Sequence, residues 1–418
     1  MKSSRFESRS RRVAAALSAT GLLVASLTAC GGANASSAGS GTAGDDVVRI
    51  GVVQEATGAY ASDYLTEWGV GAQAAVDYLN NEQNGFGGRK VELVVCDSQS
   101  SAAGALTCAN RFVAEKVDFV TGLSVYWGAN GIAVLQKAGI PSQTGPISVQ
   151  DASSPISFPY GGGIYSELGA ATNYATTTLG AKKVAAVVAD GAGNDIFFQL
   201  YKAPVDAAGG EFVPVLVPPT GDLAPSISKA VEADPDVIVT PIPNQQLVPY
   251  YEGLAQQGFD MTRTISVGAA VDADNFFDKV TDQASIEGTK YTYEFASFDD
   301  TSDPEVKTYR DAMSKYSTVP GRGEFYQWAF ATVLTNYGVA KTMGFDKFDA
   351  ASLVEALNTQ TVPIFMGHEY SKSKYATPDA PGIGNPWIRF VQYEGGQVKN
   401  LSTGWLNGFT GETVESAG

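Results

Sequence analysis

Chemistry needs side chains that move protons, hold metals or attack bonds, and this 418-residue chain supplies few of them in a catalytic pattern. Its single histidine, His368, stands in a stretch rich in Tyr, Lys and Ser and reads as a surface position. No Gly-x-Ser-x-Gly elbow, Walker phosphate loop or His/Cys metal spacing occurs. Gly191-Ala192-Gly193 comes after a strand-like run, but position 196 is Ile where a dinucleotide fingerprint needs its third glycine, so the segment reads as a tight turn. Scattered Asp and Glu single out no acid–base pair. The chain therefore reads as a non-enzyme with no cofactor and no metal. Its apolar runs end instead in hydroxyls, backbone amides and aromatic rings, groups that hold a small molecule without transforming it. Tyr126-Trp127 is the most pointed pair, although one of two adjacent residues must face inward for packing.

The three cysteines divide into one and two. Leu27-Thr28-Ala29-Cys30 ends a short apolar run, 13–27, that is preceded by Lys2, Arg5, Arg9, Arg11 and Arg12. A basic head, an apolar middle and small residues before a cut describe a signal peptide, 1–29, and the run is shorter than the ~20 residues a membrane-spanning helix needs. The four residues ending at Cys30 resemble the lipobox of bacterial lipoproteins, in which the thiol takes a diacylglyceryl group and becomes the first mature residue. Ser10-Arg11-Arg12 resembles a twin-arginine signal, but the apolar pair expected after it is missing, which favours the general secretory route. Residues 30–46 are then a lipidated Cys and a tether of Gly, Ala, Ser, Thr and Asn closing on Asp45-Asp46, a flexible composition. Several acyl chains on one residue anchor stably where one is marginal. The expected location is the cell envelope, on the outer face of the cytoplasmic membrane. Cys96 and Cys108 remain as an even pair in an oxidising compartment, one ending a strand-like run and the other about two turns into the next helix-like run, a geometry that suits a disulfide.

The elements that position these groups alternate. VVRIGVV (47–53), VELVV (91–95), VDFVTG (117–122) and GIPSQT (139–144) read as strands separated by helix-like runs, and the spacing at 66–82 is helical. After the glycines at 161–163 the pattern repeats, with strands at 182–190, 211–217, 236–242 and 264–270 and helices near 195–208, 223–233 and 245–257. KYTYEFA then leads into helices near 303–316, 323–343 and 350–358, and WIRFVQYEGGQVKNLS (387–402) reads as a hairpin turning at Glu394-Gly395-Gly396. Such βαβ alternation implies parallel sheets with right-handed crossovers, and the roughly 370 residues after the tether suit two domains. The fold class is α/β, with two doubly wound Rossmann-like lobes. Lobe 1 is expected at 47–163 plus 293–360, lobe 2 at 164–292 plus 361–410, and a tail at 411–418.

Doubly wound lobes bind ligands at the carboxyl ends of their strands. Those ends are 54–64, 97–98, 122–127, 144–148, 190–195, 241–245 and 268–272. Charge narrows the ligand and the partners. The formal net charge is −16, and removing the signal's five bases and one acid leaves 23 bases against 43 acids. Such a surface repels phosphate backbones, so nucleic acid is not expected.

The stretch IGVVQEATGAYASDY, then GAQAAVDYLNNEQNGFGGRKVELVVCDSQSS and AAGALTCANRFVAEKVDFVTG, followed by GIPSQTGPIS, resembles the type I periplasmic binding proteins, and among them the leucine/isoleucine/valine-binding family of ABC-importer receptors. The resemblance implies a monomeric, two-lobed protein with three hinge crossings that delivers a small-molecule solute to a permease driven by cytoplasmic ATPases. It places Tyr64 beside the ligand, Ser148 as the hydroxyl that holds its carboxylate, and Tyr126 near an assisting serine. The acidic clamp for an amino acid's ammonium falls near Tyr165 and Ala270, with Asp272 as a substitute. Tyr64, Tyr126, Trp127, Ser148, Tyr165 and Asp272 are thus the expected ligand-binding residues. A ligand sensor of the same fold, acting through a membrane partner, is the alternative.

One expectation is testable from the sequence alone: Cys30→Ser should leave a protein that takes up no labelled palmitate and partitions to the soluble fraction, with its folded body unchanged.

Overall fold

The computed structural model describes residues 47–415, except 60, 62, 124–126, 146, 147, 192, 193, 219, 220, 243, 268–275, 379, 402 and 403. The first run alternates β1 (Val47–Gln54), α1 (Glu67–Glu82), β2 (Lys90–Asp97), α2 (Ala102–Ala114), β3 (Phe119–Gly122) and α3 (Gly128–Ala138), then a short α4 (Val149–Ser153). Its sheet is parallel in the order β2-β1-β3 and is continued by single parallel bridges, Val120 to Ser142 and Ser142 to Ser157. The strand expected at 139–144 is reduced to these two bridges at Ser142, because Pro141 has no N–H to extend a ladder.

The second run is α5 (Gly163–Asn173), β4 (Lys183–Ala189), α6 (Asn194–Ala207), β5 (Glu211–Val217), α7 (Ala224–Glu232), β6 (Val237–Thr240), α8 (Asn244–Gln256), β7 (Thr264–Ser266) and β8 (Lys290–Tyr293). The chain then builds α9 (Pro304–Tyr316), α10 (Glu324–Met343), α11 (Ala350–Thr359), the two-residue strands β9 (Val362–Pro363) and β10 (Glu369–Tyr370), and α12 (Lys372–Tyr375). It ends in β11 (Trp387–Glu394), β12 (Gln397–Asn400), β13 (Gly404–Asn407) and β14 (Thr413–Glu415). The second sheet runs β14-β13-β11-β8-β7-β6-β4-β5, parallel from β8 to β5 and antiparallel beyond, with β12 paired to β11. The hairpin turns where expected: Gly395 and Gly396 both take positive φ, as a two-residue turn between twisted strands requires.

Two lobes are defined by which side chains share a core. One apolar cluster takes residues between Val48 and Tyr160 and returns for Phe295 through Tyr370. The others join residues between Leu168 and Tyr293 to those from Ile388 to Leu406. The lobe boundary expected at 360 therefore falls later, between Tyr370 and Trp387, since Val362, Ile364, Met366 and Tyr370 all pack in the first core. The tail expected at 411–418 includes β14, which pairs with β13. At the centre of the first lobe, α10 is buried on nearly every side and lies against α1. Gly71 makes that approach possible, because a Cβ there would come 2.8 Å from Tyr326 Cα.

Three chain crossings join the lobes, and polar groups stitch them together. Glu294 follows β8 on the second crossing, and its Oε1 accepts the backbone N–H of Gly163 on the first at 2.5 Å. Asn385, on the third, donates from Nδ2 to the Tyr160 carbonyl at 2.5 Å. The glycine triplet at 161–163 follows from this geometry. A Cβ on Gly161 would come 2.6 Å from Glu294 Cδ, one on Gly162 would come 2.8 Å from the Asn385 carbonyl oxygen, and Gly163 takes φ +57°. Burial drives the Glu294 carboxyl pKa well above its ordinary value, and the negative charges of Glu167 and Glu324 add to the rise.

Cys96 and Cys108 form the expected disulfide, with Cα atoms 5.6 Å apart, fastening β2 to α2. His368 is not the surface residue expected: its ring stacks on Trp387 at 5.0 Å between centroids and meets Trp405 edge-on.

Two stability effects are expected. A bridge closing a loop of this size contributes about 3 kcal/mol, so Cys108→Ala should lower the melting temperature while keeping the fold, and non-reducing peptide mapping should recover the two cysteines joined. Because the folded pKa of Glu294 lies above its unfolded one, its contribution is full below the unfolded pKa and is lost as pH rises toward the folded value. Glu294→Gln keeps the acceptor for Gly163 and cannot ionise, so calorimetric melting should show the variant gaining on the native protein from pH 5 to pH 8.

Candidate functional site

Both sheets aim their strand carboxyl ends at the crossings. In the first lobe, the bridge at Ser157 runs parallel to Ser142 and leads directly into the first crossing. In the second, β8 lies parallel to β7 and runs into the second crossing at Glu294. The segments after these strands therefore face the space between the lobes, where this class of fold binds its ligands.

Beside its strand ends the first lobe packs a chain of aromatic rings, all but Tyr64 buried in its core. Tyr64, half-buried in a helical turn at Asp63–Thr66, stacks on Phe325 at 4.5 Å. Phe325 in turn contacts Trp68 at 4.8 Å, Trp68 contacts Trp328 at 5.6 Å, and Trp328 meets Phe295 edge-on at 5.5 Å. These rings come from the first turns of α1 and α10 and from the second crossing. Two strand-end glycines leave room for the indoles: a Cβ on Gly122 would come 3.2 Å from Trp68, and one on Gly145 would come 2.6 Å from Trp328. Trp328 is held by its own Nε1–H, which donates to the Gln143 carbonyl at 3.2 Å.

A second group gathers around Asp151. Trp127 precedes α3 as its cap, and the following Gly128 points its open side at the Asp151 carboxylate. Ser148 caps α4 in a reciprocal capping box: its Oγ donates to Asp151 Oδ2 at 2.6 Å and accepts from the Asp151 N–H at 3.1 Å. The hydroxyl expected to hold a ligand carboxylate is thus engaged with the acid three residues on. Tyr165, in the first turn of α5, packs with Ala152, Ala380 and Ile383. Burial raises its phenol pKa, and the Asp151 charge raises it further. Its ring also borders a cavity of about 630 Å³ shared with Asn173, Leu200 and Phe409.

Of the expected ligand residues, Ser148 and Tyr165 are thus brought to Asp151, Trp127 precedes the Gly128 that lies beside it, and Tyr64 joins a separate group of rings. Tyr126, Asp272 and Cys30 lie outside the described residues. Sequence reasoning missed Phe325, Trp68 and Trp328, whose helical spacing is indistinguishable from ordinary core. It also missed Glu294, although a lone acid inside the apolar run KYTYEFA is a signal for a buried carboxyl. Among the described residues no cluster of His, Cys, Asp and Glu is arranged to hold a metal ion, and no helix is long and apolar enough to cross a membrane.

Comparison with known proteins agrees with this architecture. The branched-chain amino acid binding protein LivJ of Streptococcus pneumoniae, solved with isoleucine, superposes with a TM-score of 0.66 at 20% identity, covering 85% of this chain and 99% of that one. A solute-binding protein of an ABC transporter from Rhodopseudomonas palustris, solved with 4-hydroxybenzoate, gives 0.69 at 23% identity, covering 88% and 97%. The leucine-binding protein LivK of Thermotoga maritima gives 0.66 at 16%, covering 88% and 99%. No curated protein matches the sequence at a significant level. Residues 47–397 match the family model described as periplasmic binding protein. With two doubly wound lobes, three crossings and a match over most of its length, the chain belongs to the periplasmic binding protein family, in its type I fold, and is a binding protein rather than an enzyme.

Proposed function

We propose that the protein is the solute-binding subunit of an ABC importer, tethered through a lipid on Cys30, and that it closes its lobes over a small aromatic carboxylate. The observation that carries this reading is the half-buried ring of Tyr64 beside a first-lobe strand end, backed by the buried rings of Phe325, Trp68 and Trp328. Flat rings favour a flat ligand, since offset stacking adds to the area each ring removes from water. A free amino acid would bring an ammonium that needs a fixed acid, and an unpaired buried charge costs several kcal/mol. Tyr165 stands where the resemblance puts one half of that clamp. The complexes of similar proteins with 4-hydroxybenzoate and benzoate are in keeping with this class.

In this reading Trp127 and Tyr165 close the sides of the pocket and the N–H groups of the strand-end loops meet the carboxylate. Binding draws the two lobes into one closed shape, and a permease that prefers that shape receives the solute by population shift. A second reading, a branched-chain amino acid clamped by Asp272, is favoured by the isoleucine complex of LivJ. A ligand sensor of the same fold would use the same pocket and differ only in the membrane partner.

Calorimetry on protein freed of copurified solute by unfolding and refolding separates the ligand readings. 4-Hydroxybenzoate is expected to bind in the micromolar range, which corresponds to about −8 kcal/mol, and to weaken tenfold or more in Phe325→Ala. Tight leucine binding that is lost in Asp272→Ala and unchanged in Phe325→Ala would overturn the aromatic assignment.

A further inference from the structure

The hinge holds an unusual set of charges. Glu167 stands on α5 in the second lobe, Glu324 in the first turn of α10 in the first lobe, and Glu294 just after β8 on the crossing between them. All three are buried, at 4%, 1% and 2% exposure. They are also tied into the backbone and strands around them. The Glu294 N–H donates to Glu324 Oε1 at 2.7 Å, Glu294 Oε1 accepts from Gly163, and Glu167 Oε1 accepts the Thr292 hydroxyl at 3.0 Å. Among the described residues, the charges acting on Glu294 are those of Glu167 and Glu324, both negative. Tyr201, fully buried, faces Glu167 from α6, and Glu67 of α1 lies against Gly323 at the start of α10. None of these groups is used by the ligand site proposed above.

We infer that lobe closure is coupled to the uptake of one proton from solvent by the Glu167–Glu294–Glu324 cluster, so that falling pH favours the closed form. The physical reason lies in the arrangement. Two of the carboxyls belong to opposite lobes and the third sits on the pivot, so rotation about the crossings changes their separation and their access to water. Packed together away from water they cannot all be ionised, since like charges in a low-dielectric site repel strongly. Opening hydrates them and lets the proton leave. The raised pKa of Glu294 has the sign this requires. One proton taken up on closing changes the closed-to-open ratio by up to about tenfold per pH unit.

The inference rests on the reading of the lobes as closing around a solute, and its test is run without any solute so that the two stand or fall separately. The ligand-free native protein is followed by small-angle scattering and tryptophan fluorescence from pH 5 to pH 8.5. The expected result is a radius of gyration that grows as pH rises, and a Glu294→Gln variant that stays compact throughout. Glu167→Gln, which leaves the pivot intact, should move opening to higher pH, because one repelling charge is gone, and it serves should Glu294→Gln fail to fold. His368, packed on Trp387 across the junction, has its pKa lowered by burial and faces Glu369, Lys374 and Arg389, so His368→Gln is included and should keep the response. A native radius independent of pH, a Glu294→Gln variant that titrates like the native protein, or a response abolished by His368→Gln would overturn the inference. Failure of 4-hydroxybenzoate and leucine to bind in calorimetry would count against the solute reading alone.

Discussion

The contact between the Glu294 carboxyl and the Gly163 N–H is the constraint around which the rest of the hinge is arranged. A carboxyl with almost no exposed surface has to be satisfied by donors at hand, and here the donor is a backbone amide on a different crossing. That demand explains why three glycines stand in a row at 161–163, where side chains would strike Glu294 or Asn385 or require a left-handed backbone. It also brings Glu324 to the start of α10, where it accepts the Glu294 N–H. The two lobes are thus joined at the crossings by polar bonds of fixed direction, beside the apolar packing of Tyr165 against Ala152.

Helix α10 carries that constraint to the aromatic rings proposed to back the ligand. Its first residue, Glu324, belongs to the hinge, while Phe325 and Trp328, one and four residues on, belong to the aromatic wall. Further along, Asn336 exchanges hydrogen bonds with the Gln143 side chain and accepts the Tyr160 hydroxyl at 2.6 Å. One rigid helix therefore holds the wall, the end of a first-lobe strand and the entry to the first crossing. Since the helix is buried on nearly every side, none of these can shift without repacking the lobe.

The second lobe is built differently. Its sheet is parallel where βαβ units build it and antiparallel where the chain returns through β11 to β14. The returning strands lie on the far side of β8, so the third crossing enters the second lobe next to the second. Trp387 begins β11 there and meets His368 from the first lobe, which is how the one histidine comes to be enclosed by indole rings.

Much of this was legible in the sequence because it is periodic. Alternating apolar strands and amphipathic helices determine βαβ units, the paired cysteines at the end of β2 and on α2 determine a bridge, and Gly395-Gly396 determines a hairpin turn. Each of these depends on residues close together along the chain. The core membership of Val362 to Tyr370, the stacking of His368 and the wall of Phe325, Trp68 and Trp328 were not legible, because an apolar or aromatic residue at helical spacing carries no label for the surface it will meet. Ser148 shows the same limit in a polar side chain, since nothing in its chemistry said that its hydroxyl would meet Asp151 at the start of α4. The sequence by itself determined the elements, their order and the class of protein. Only the tertiary structure decided which carboxyls share the hinge and which rings stack together, because pairs such as Gly163 and Glu294 or Tyr64 and Phe325 lie over a hundred residues apart.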